Sequence, residues 1–274
     1  MVNVVKKYFF VFLLIIIFPC ANAKDIKLAL DWFVNPNHAP IILAKELGYF
    51  KEAGLYVDIL TPADPSDPPK WVAAGKVDMA IDYEPHFEME IKNGLPLKKV
   101  GSLINSPLAC MIALKEKNIK KLSDIKGTRI GYSVSGSDGV ILNAMLNHVG
   151  LTEKDIILVN VRYGLLQALL SHQVDVIMGA MRNVEVPELK MLGKNAVTFY
   201  PENHGVKKYA ELIFVVNKNN NDKESIQKFL DALEKSKLYI KNHPDLAWEK
   251  FSKNRQELVN LLNAKIWERT VLLF

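Results

Sequence analysis

The 274-residue sequence is poor in cysteine and contains only Cys20 and Cys110. Cys20 lies in an N-terminal segment that we expect to be removed, and its loss leaves Cys110 without a partner for an internal disulfide bond. A chain without disulfide bonds depends on a hydrophobic core for its stability. The remaining chain, about 250 residues, is long enough to bury such a core and commonly divides into two lobes.

The sequence also lacks a strong excess of charge of one sign. It contains 35 basic and 30 acidic residues, and 33 basic residues remain when Lys6 and Lys7 of the N-terminal segment are subtracted. A nucleic-acid-binding domain usually carries a pronounced basic stripe, so we expect no nucleic-acid partner. The pair Lys98-Lys99 is typical of a solvated surface.

Motifs for metal, nucleotide or hydrolytic chemistry are missing as well. The histidines show neither an HExxH motif nor paired-ligand spacing, and this predicts no metal site. Gly136 and Gly139 do not form a dinucleotide-binding fingerprint, and no P-loop lysine follows them. Residue order alone assigns no Ser-His-Asp arrangement. We therefore predict no catalytic residues.

The N-terminus has the composition of a secretory signal peptide. Lys6 and Lys7 precede an apolar run at 8–18, and residues 21–23 form an A-x-A cleavage site. We expect residues 1–23 to be cleaved after Ala23. The mature chain is then periplasmic or otherwise extracytoplasmic.

Two other interpretations of this N-terminus remain open. The first is a membrane anchor, but the apolar run is shorter than the roughly 20 residues that span a bilayer. The second is a lipid anchor on Cys20, which is less favoured because Pro19 stands where Gly or Ala usually precedes a lipidated cysteine. No later segment is apolar enough to span a membrane.

Short apolar segments alternate with longer amphipathic ones, which predicts an α/β fold. The predicted strands are 27–32, 56–61, 77–81, 155–161, 174–178 and 212–217. The predicted helices include 38–47, 85–93, 165–171 and 224–242. Pro68 and Pro69 are expected to begin a further helix that Asp67 caps.

We expect this chain to form two lobes with a ligand cleft between them. Residues 24–113 and 212–274 are assigned to lobe 1, and residues 114–211 to lobe 2. Ligands of open α/β sheets bind beyond the carboxyl ends of the strands. This rule places the candidate site at three loops, 31–38, 82–86 and 133–138.

The segment 30–55 resembles the opening of type II binding proteins for thiamine pyrimidine precursors. Its Gly48-Tyr-Phe-Lys-Glu-Ala-Gly-Leu55 part is shared with nitrate, sulfonate and taurine binders and is weakly specific. The combination with Pro62-Ala-Asp-Pro-Ser-Asp-Pro68, Gly75-Lys-Val-Asp78 and Asn183-Val-Glu185 is much narrower. The resemblance runs from about Lys27 to the C-terminus.

This resemblance implies a two-lobed type II periplasmic-binding-protein fold that acts as a monomer. The family includes a protein that delivers a formylaminopyrimidine, a thiamine breakdown product, to an ABC importer for salvage. The implied partners are a small pyrimidine ligand and the ABC permease and ATPase in the membrane. Family members continue for some tens of residues beyond the position of Phe274, so we expect lobe 1 to lack its last elements.

The same family includes a thiamine pyrimidine synthase, which is the alternative function. That enzyme uses a lysine to hold pyridoxal phosphate, a histidine that is consumed, and a cysteine-rich iron segment. Here Asp82 stands at the lysine position, His86 at that of the histidine, and Cys110 is the single cysteine after the leader. A carboxylate cannot form a Schiff base, so we expect no cofactor.

An aminopyrimidine offers a flat π face with alternating hydrogen-bond donors and acceptors, so its site calls for aromatic rings and acidic or amide partners. Trp32 and Tyr83 are expected to stack on the ring, although ordinary core positions remain the alternative. The polar residues predicted to contact ligand are Asp31, Asn37, His38, Glu84, His86, Asn183 and Glu185. Glu84 on a solvated rim and His38 at a helix start remain open alternatives.

The last predicted element of the site is a nest of hydroxyl and backbone N–H groups at Ser135, Gly136 and Ser137. A helix that begins there offers free N–H groups to a formyl oxygen or a phosphate. The alternative is that Ser135 or Ser137 only caps the helix.

Overall fold

Strands and helices alternate along much of the part of the chain that the computed structural model describes, residues 23–134 and 137–274. The strands are β1 Lys24–Ala29, β2 Leu55–Leu60, β3 Met79–Asp82, β4 Leu97–Ile104, β5 Ala109–Leu114, β6 Arg129–Tyr132, β7 Ile157–Asn160, β8 Val176–Met181, β9 Ala196–Phe199 and β10 Leu212–Asn217. The helices are α1 Ala39–Glu46, α2 Tyr49–Glu52, α3 Pro68–Ala73, α4 Glu84–Lys92, α5 Ser137–His148, α6 Leu165–Leu170, α7 Glu185–Met191, α8 Lys223–Asn242, α9 Pro244–Ser252 and α10 Leu261–Thr270.

The first lobe is built on a five-stranded mixed sheet with the order β2-β1-β3-β10-β4. Strand β1 pairs in parallel with β2 and β3, whereas β10 is antiparallel to β3 and β4. The first five residues of β10, from Leu212 to Val216, are apolar and buried, as expected for a strand inside a sheet that is covered on both sides. Phe229 of α8 stacks on Phe50 at 5.0 Å and meets Phe214 of β10 edge-on at 5.2 Å, which fixes α8 to this sheet.

The second lobe is built on a second five-stranded mixed sheet with the order β7-β6-β8-β5-β9. Strand β6 is parallel to β7 and β8, and β5 is antiparallel to β8 and β9. Parallel neighbours bring the carboxyl ends of β6 and β8 to one edge of the sheet. The segments that follow these two strands therefore lie close together.

The chain passes from the first sheet to the second between β4 and β5, earlier than predicted. Residues 109–113 were assigned to lobe 1, but Ala109–Leu114 pairs with β8 and β9 of the second sheet. The turn at 105–108 contains Pro107, which has no N–H to donate to a sheet and is therefore typical of such a connection. The chain returns to the first sheet at β10.

One helix start differs from its prediction. Helix α3 begins at Pro68, but the side chain of Asp67 makes no capping hydrogen bond. The backbone of Asp67 is already helical, with φ −88° and ψ −32°, whereas a capping residue is usually extended.

The predicted leader lies outside the described residues except for Ala23. Across 23–134 and 137–274 no helix has the length and apolarity needed to cross a bilayer.

Candidate ligand-binding site

A cavity of about 110 Å³ lies between the two lobes. The first lobe lines it with Trp32, Asn35, Asn37 and Tyr83, and the second with Ala109, Ser133, Val134, Leu165, Gly179, Met181, Val184 and Glu185. Glu211 lines it from the point where the chain returns to the first lobe. Most of the polar lining residues follow the carboxyl ends of parallel strands, which is where open α/β sheets bind ligands. Predicted residues Trp32, Asn37, Tyr83 and Glu185 thus share one cavity.

Asp31 and His38 lie behind Tyr83, one of the two aromatic residues that line the cavity. The Asp31 carboxylate accepts a hydrogen bond from the Tyr83 hydroxyl at 2.8 Å and lies 2.9 Å from Nε2 of His38. Both Asp31 and His38 are buried. A buried hydrogen bond between two side chains restricts their rotamers. Asp31 therefore holds the ring of Tyr83 at the cavity wall.

Glu185 supplies a carboxylate to the second-lobe side of the cavity. It is the first residue of α7, and it accepts a hydrogen bond from the Met181 N–H at 2.6 Å. Part of its surface is open to the cavity, while protein atoms surround its carboxyl group. Burial raises the pKa of Glu185 to about 7, against the smaller opposing effect of the backbone N–H groups of Met181 and Glu185. The group therefore titrates near neutral pH.

Glu211 supplies a second carboxylate and was not predicted. It precedes β10 and accepts hydrogen bonds from the N–H groups of Leu108 at 2.5 Å and Ala109 at 2.8 Å. Burial raises its pKa, and these two N–H groups partly offset the rise. The sequence offered one signal for this residue. Glu211 is an acidic residue directly before a mostly apolar strand, at the point where the chain was expected to change lobes.

Amide side chains connect the lobes on another side of the cavity. Asn183 donates to Asn37 Oδ1 at 2.7 Å and to the Thr270 hydroxyl at 2.9 Å. Asn37 in turn donates to the sulfur of Met181 at 3.2 Å. Asn183 is buried behind Asn37, so it positions a residue of the cavity wall.

Two other predicted residues, His86 and Glu84, are not among the residues that line the cavity. Nδ1 of His86 lies 2.7 Å from Asp82 and its Nε2 lies 3.1 Å from Glu90, all three residues being buried. Burial lowers the pKa of His86, but the two carboxylates outweigh it and the net shift is upward. Glu84 is held by Lys99 at 2.5 Å and by the Ala210 N–H at 2.7 Å.

The predicted nest is only partly visible. Ser135 and Gly136 lie outside the described residues, and α5 begins at Ser137. Ser133, two residues earlier, lines the cavity, and its hydroxyl donates to the backbone oxygen of Arg162. Within the described ranges, no group of three or more His, Cys, Asp or Glu side chains is arranged to hold a metal ion.

Comparisons with known proteins agree with this architecture. The chain is 43% identical over 272 residues to a putative thiamine biosynthesis protein of Haemophilus influenzae, covering 99% of this chain and 87% of that protein. It is 30% identical over 236 residues to the formylaminopyrimidine-binding protein of Halalkalibacterium halodurans, covering 85% of this chain and 72% of that protein.

The fold is that of a two-lobed periplasmic binding protein. The alkanesulfonate-binding protein SsuA of Xanthomonas axonopodis pv. citri, solved with MOPS bound, superposes with a TM-score of 0.71 at 15% identity, covering 90% of this chain and 83% of that one. The NMT1/THI5 like family profile matches residues 35–247. These matches confirm the resemblance inferred from the sequence: the chain belongs to the NMT1/THI5-like family.

Proposed function

We propose that this chain is the exported solute-binding component of an ABC importer and that its cleft binds a thiamine pyrimidine precursor of the formylaminopyrimidine type for salvage. The observation that carries the proposal is a cavity between two lobes that combines aromatic rings with carboxylates. The relative from Halalkalibacterium halodurans, named for binding formylaminopyrimidine, supports this ligand class.

The lining residues match the chemistry of an aminopyrimidine. Trp32 and Tyr83 offer ring faces for stacking, which adds about 0.5–1.5 kcal/mol per aromatic pair beyond the buried area. Glu185 and Glu211 offer carboxylates to the exocyclic amine and other N–H donors. Both carboxylates come from buried settings, where an additional donor from the ligand relieves an unfavourable desolvated charge.

Binding and lobe closure are coupled in this proposal. Trp32 and Tyr83 belong to the first lobe and Glu185 to the second, so one ligand contacts both lobes. A ligand that bridges two lobes stabilises the closed form. The closed form is then the state that the importer's permease recognises at the outer face of the membrane.

Pyridoxal phosphate, the cofactor of the related synthase, does not fit these residues. Asp82 stands at the lysine position, and its carboxylate is buried 2.7 Å from His86. A carboxylate cannot form the covalent link that a lysine amine makes to this cofactor. His86 in turn lies between Asp82 and Glu90 and does not line the cavity. We therefore favour binding without chemical conversion of the ligand.

Substitution of Glu185 tests the site. Loss of its carboxylate in Glu185→Ala leaves a ligand amine unpaired, which costs about 1–3 kcal/mol and corresponds to roughly a 5- to 150-fold weaker Kd. Titration calorimetry with formylaminopyrimidine measures this change. Glu88→Ala removes an exposed carboxylate of α4 outside the cavity lining; it is the control and should bind as the wild type does. Wild-type affinity in Glu185→Ala would remove Glu185 from the site.

A further inference from the structure

One tyrosine of the second lobe reaches across to the first. Tyr163 lies in the turn between β7 and α6, and its hydroxyl donates a hydrogen bond of 2.8 Å to the backbone oxygen of Pro62. Pro62 follows β2 and is buried in the first lobe. This bond joins residues that are 101 positions apart. It has to break whenever the two lobes separate.

The ring of Tyr163 makes two more contacts with the first lobe. It meets the ring of Trp32 edge-on at 4.5 Å and 72°, and it packs against Phe33 at 4.4 Å and 39°. Trp32 lines the ligand cavity, whereas Phe33 is 52% exposed. Trp32 thus lies between Tyr163 and the space where the ligand would stack.

The turn that carries Tyr163 is held in one shape by its own lobe. Arg162 has a positive φ of 48°, an uncommon conformation for a residue other than glycine. Its N–H donates to Asn160 Oδ1 at 2.9 Å, and its backbone oxygen accepts from the hydroxyl of Ser133. Non-glycine residues persist in this conformation only where neighbours enforce it. The second lobe therefore presents Tyr163 in a fixed position.

We infer that Tyr163 is a positioning residue for ligand binding. Its contacts with Pro62, Trp32 and Phe33, called the clasp below, hold the two lobes together and fix the indole of Trp32 against the bound ring. The inference rests on the proposed function only for the identity of the ligand, since the three contacts are between protein groups. Burial, with a smaller effect from Asp64, raises the pKa of Tyr163 to about 12. Its hydroxyl consequently remains a donor at neutral pH.

A clasp that forms on closure affects release of the ligand more than its capture. The open form lacks all three contacts, so loss of Tyr163 does not slow association. Opening breaks one hydrogen bond and two ring contacts. Removing the hydrogen bond alone in Tyr163→Phe should raise the dissociation rate about 2- to 12-fold, and Tyr163→Ala should raise it by more than about tenfold because the ring contacts are lost too.

Stopped-flow measurement with formylaminopyrimidine separates these rates. The expected result is a graded rise in dissociation rate from wild type to Tyr163→Phe to Tyr163→Ala, with association no slower than in the wild type and the melting temperature unchanged. Tyr56→Phe, which alters an exposed tyrosine on β2, is the control and should leave both rates as in the wild type. Wild-type dissociation rates in both Tyr163 variants would overturn the inference.

A second measurement does not depend on the ligand. Spin labels on Lys76→Cys and Gln173→Cys, exposed positions in the two lobes, report the distance between them, while buried Cys110 stays unlabelled. Tyr163→Ala should shift the distances toward the open form both with and without formylaminopyrimidine. Identical distance distributions would overturn the clasp. Different distributions in a protein that does not bind formylaminopyrimidine would reject the proposed ligand and keep the clasp.

Discussion

The carboxylate of Glu211 gives the sharpest test of how the two lobes are joined. Glu211 is only 2% exposed, and its Oε2 accepts from the N–H groups of both Leu108 and Ala109, where the chain enters the second lobe. The substitution Glu211→Ala leaves these two buried donors without an acceptor. Each orphaned donor costs about 1–3 kcal/mol, so the free energy of unfolding should fall by about 2–6 kcal/mol.

Glu211→Gln is the matched variant, because one amide oxygen can take both hydrogen bonds that now end on Oε2. Burial raises the pKa of Glu211, so its ionised form weakens the fold and stability is lost as pH rises above the ordinary carboxyl range. We expect Glu211→Gln to stay within about 1 kcal/mol of the wild type at acidic pH, where the carboxyl group is protonated, and to become the more stable of the two as pH rises out of the ordinary carboxyl range. Urea unfolding of the three proteins measures this. Equal losses of unfolding free energy in Glu211→Ala and Glu211→Gln would show that the hydrogen-bond acceptor at this position does not determine stability.

Two further predictions concern stability. Burial raises the pKa of Glu185 from 4.5 to about 7, so the folded chain binds this proton more tightly than the unfolded chain does. The free energy of unfolding should therefore fall by up to about 3 kcal/mol as pH rises from 4.5 to about 7. Urea unfolding of Glu185→Gln should lack this pH-dependent loss. Tyr83→Phe removes the donor to buried Asp31 and should cost about 1–3 kcal/mol. In a double-mutant cycle with Asp31→Ala, purely additive losses would contradict a direct Asp31–Tyr83 interaction.

Local sequence patterns were sufficient for much of the fold. The apolar run that becomes β10 and the amphipathic run that becomes α8 were both predicted, because burial on two faces and on one face leave different periodicities. The position at which the chain first crosses from lobe 1 to lobe 2 was predicted too late in the sequence. Strands β4 and β5 follow each other with only a short turn between them, and their pairing with different sheets depends on contacts that periodicity does not encode.

The site was harder to predict for the same reason. The importance of Glu211 arises from Leu108, 103 positions away, and that of Tyr163 from Pro62, 101 positions away. The position of His86 was predictable in principle. Once a helix begins at Glu84, His86 and Glu90 are four residues apart and share a face. That spacing indicated that His86 pairs with Glu90 of the same helix, and the structure shows this contact at 3.1 Å.

Calorimetric titration tests directly whether the cleft binds a thiamine pyrimidine precursor. The purified protein is titrated with formylaminopyrimidine, hydroxymethylpyrimidine, thiamine and pyridoxal phosphate in separate experiments. We expect saturable binding of a pyrimidine with one ligand per chain and no binding of pyridoxal phosphate. Binding of pyridoxal phosphate without any pyrimidine would contradict this expectation and favour the synthase. A folded protein that binds none of the four would also contradict it.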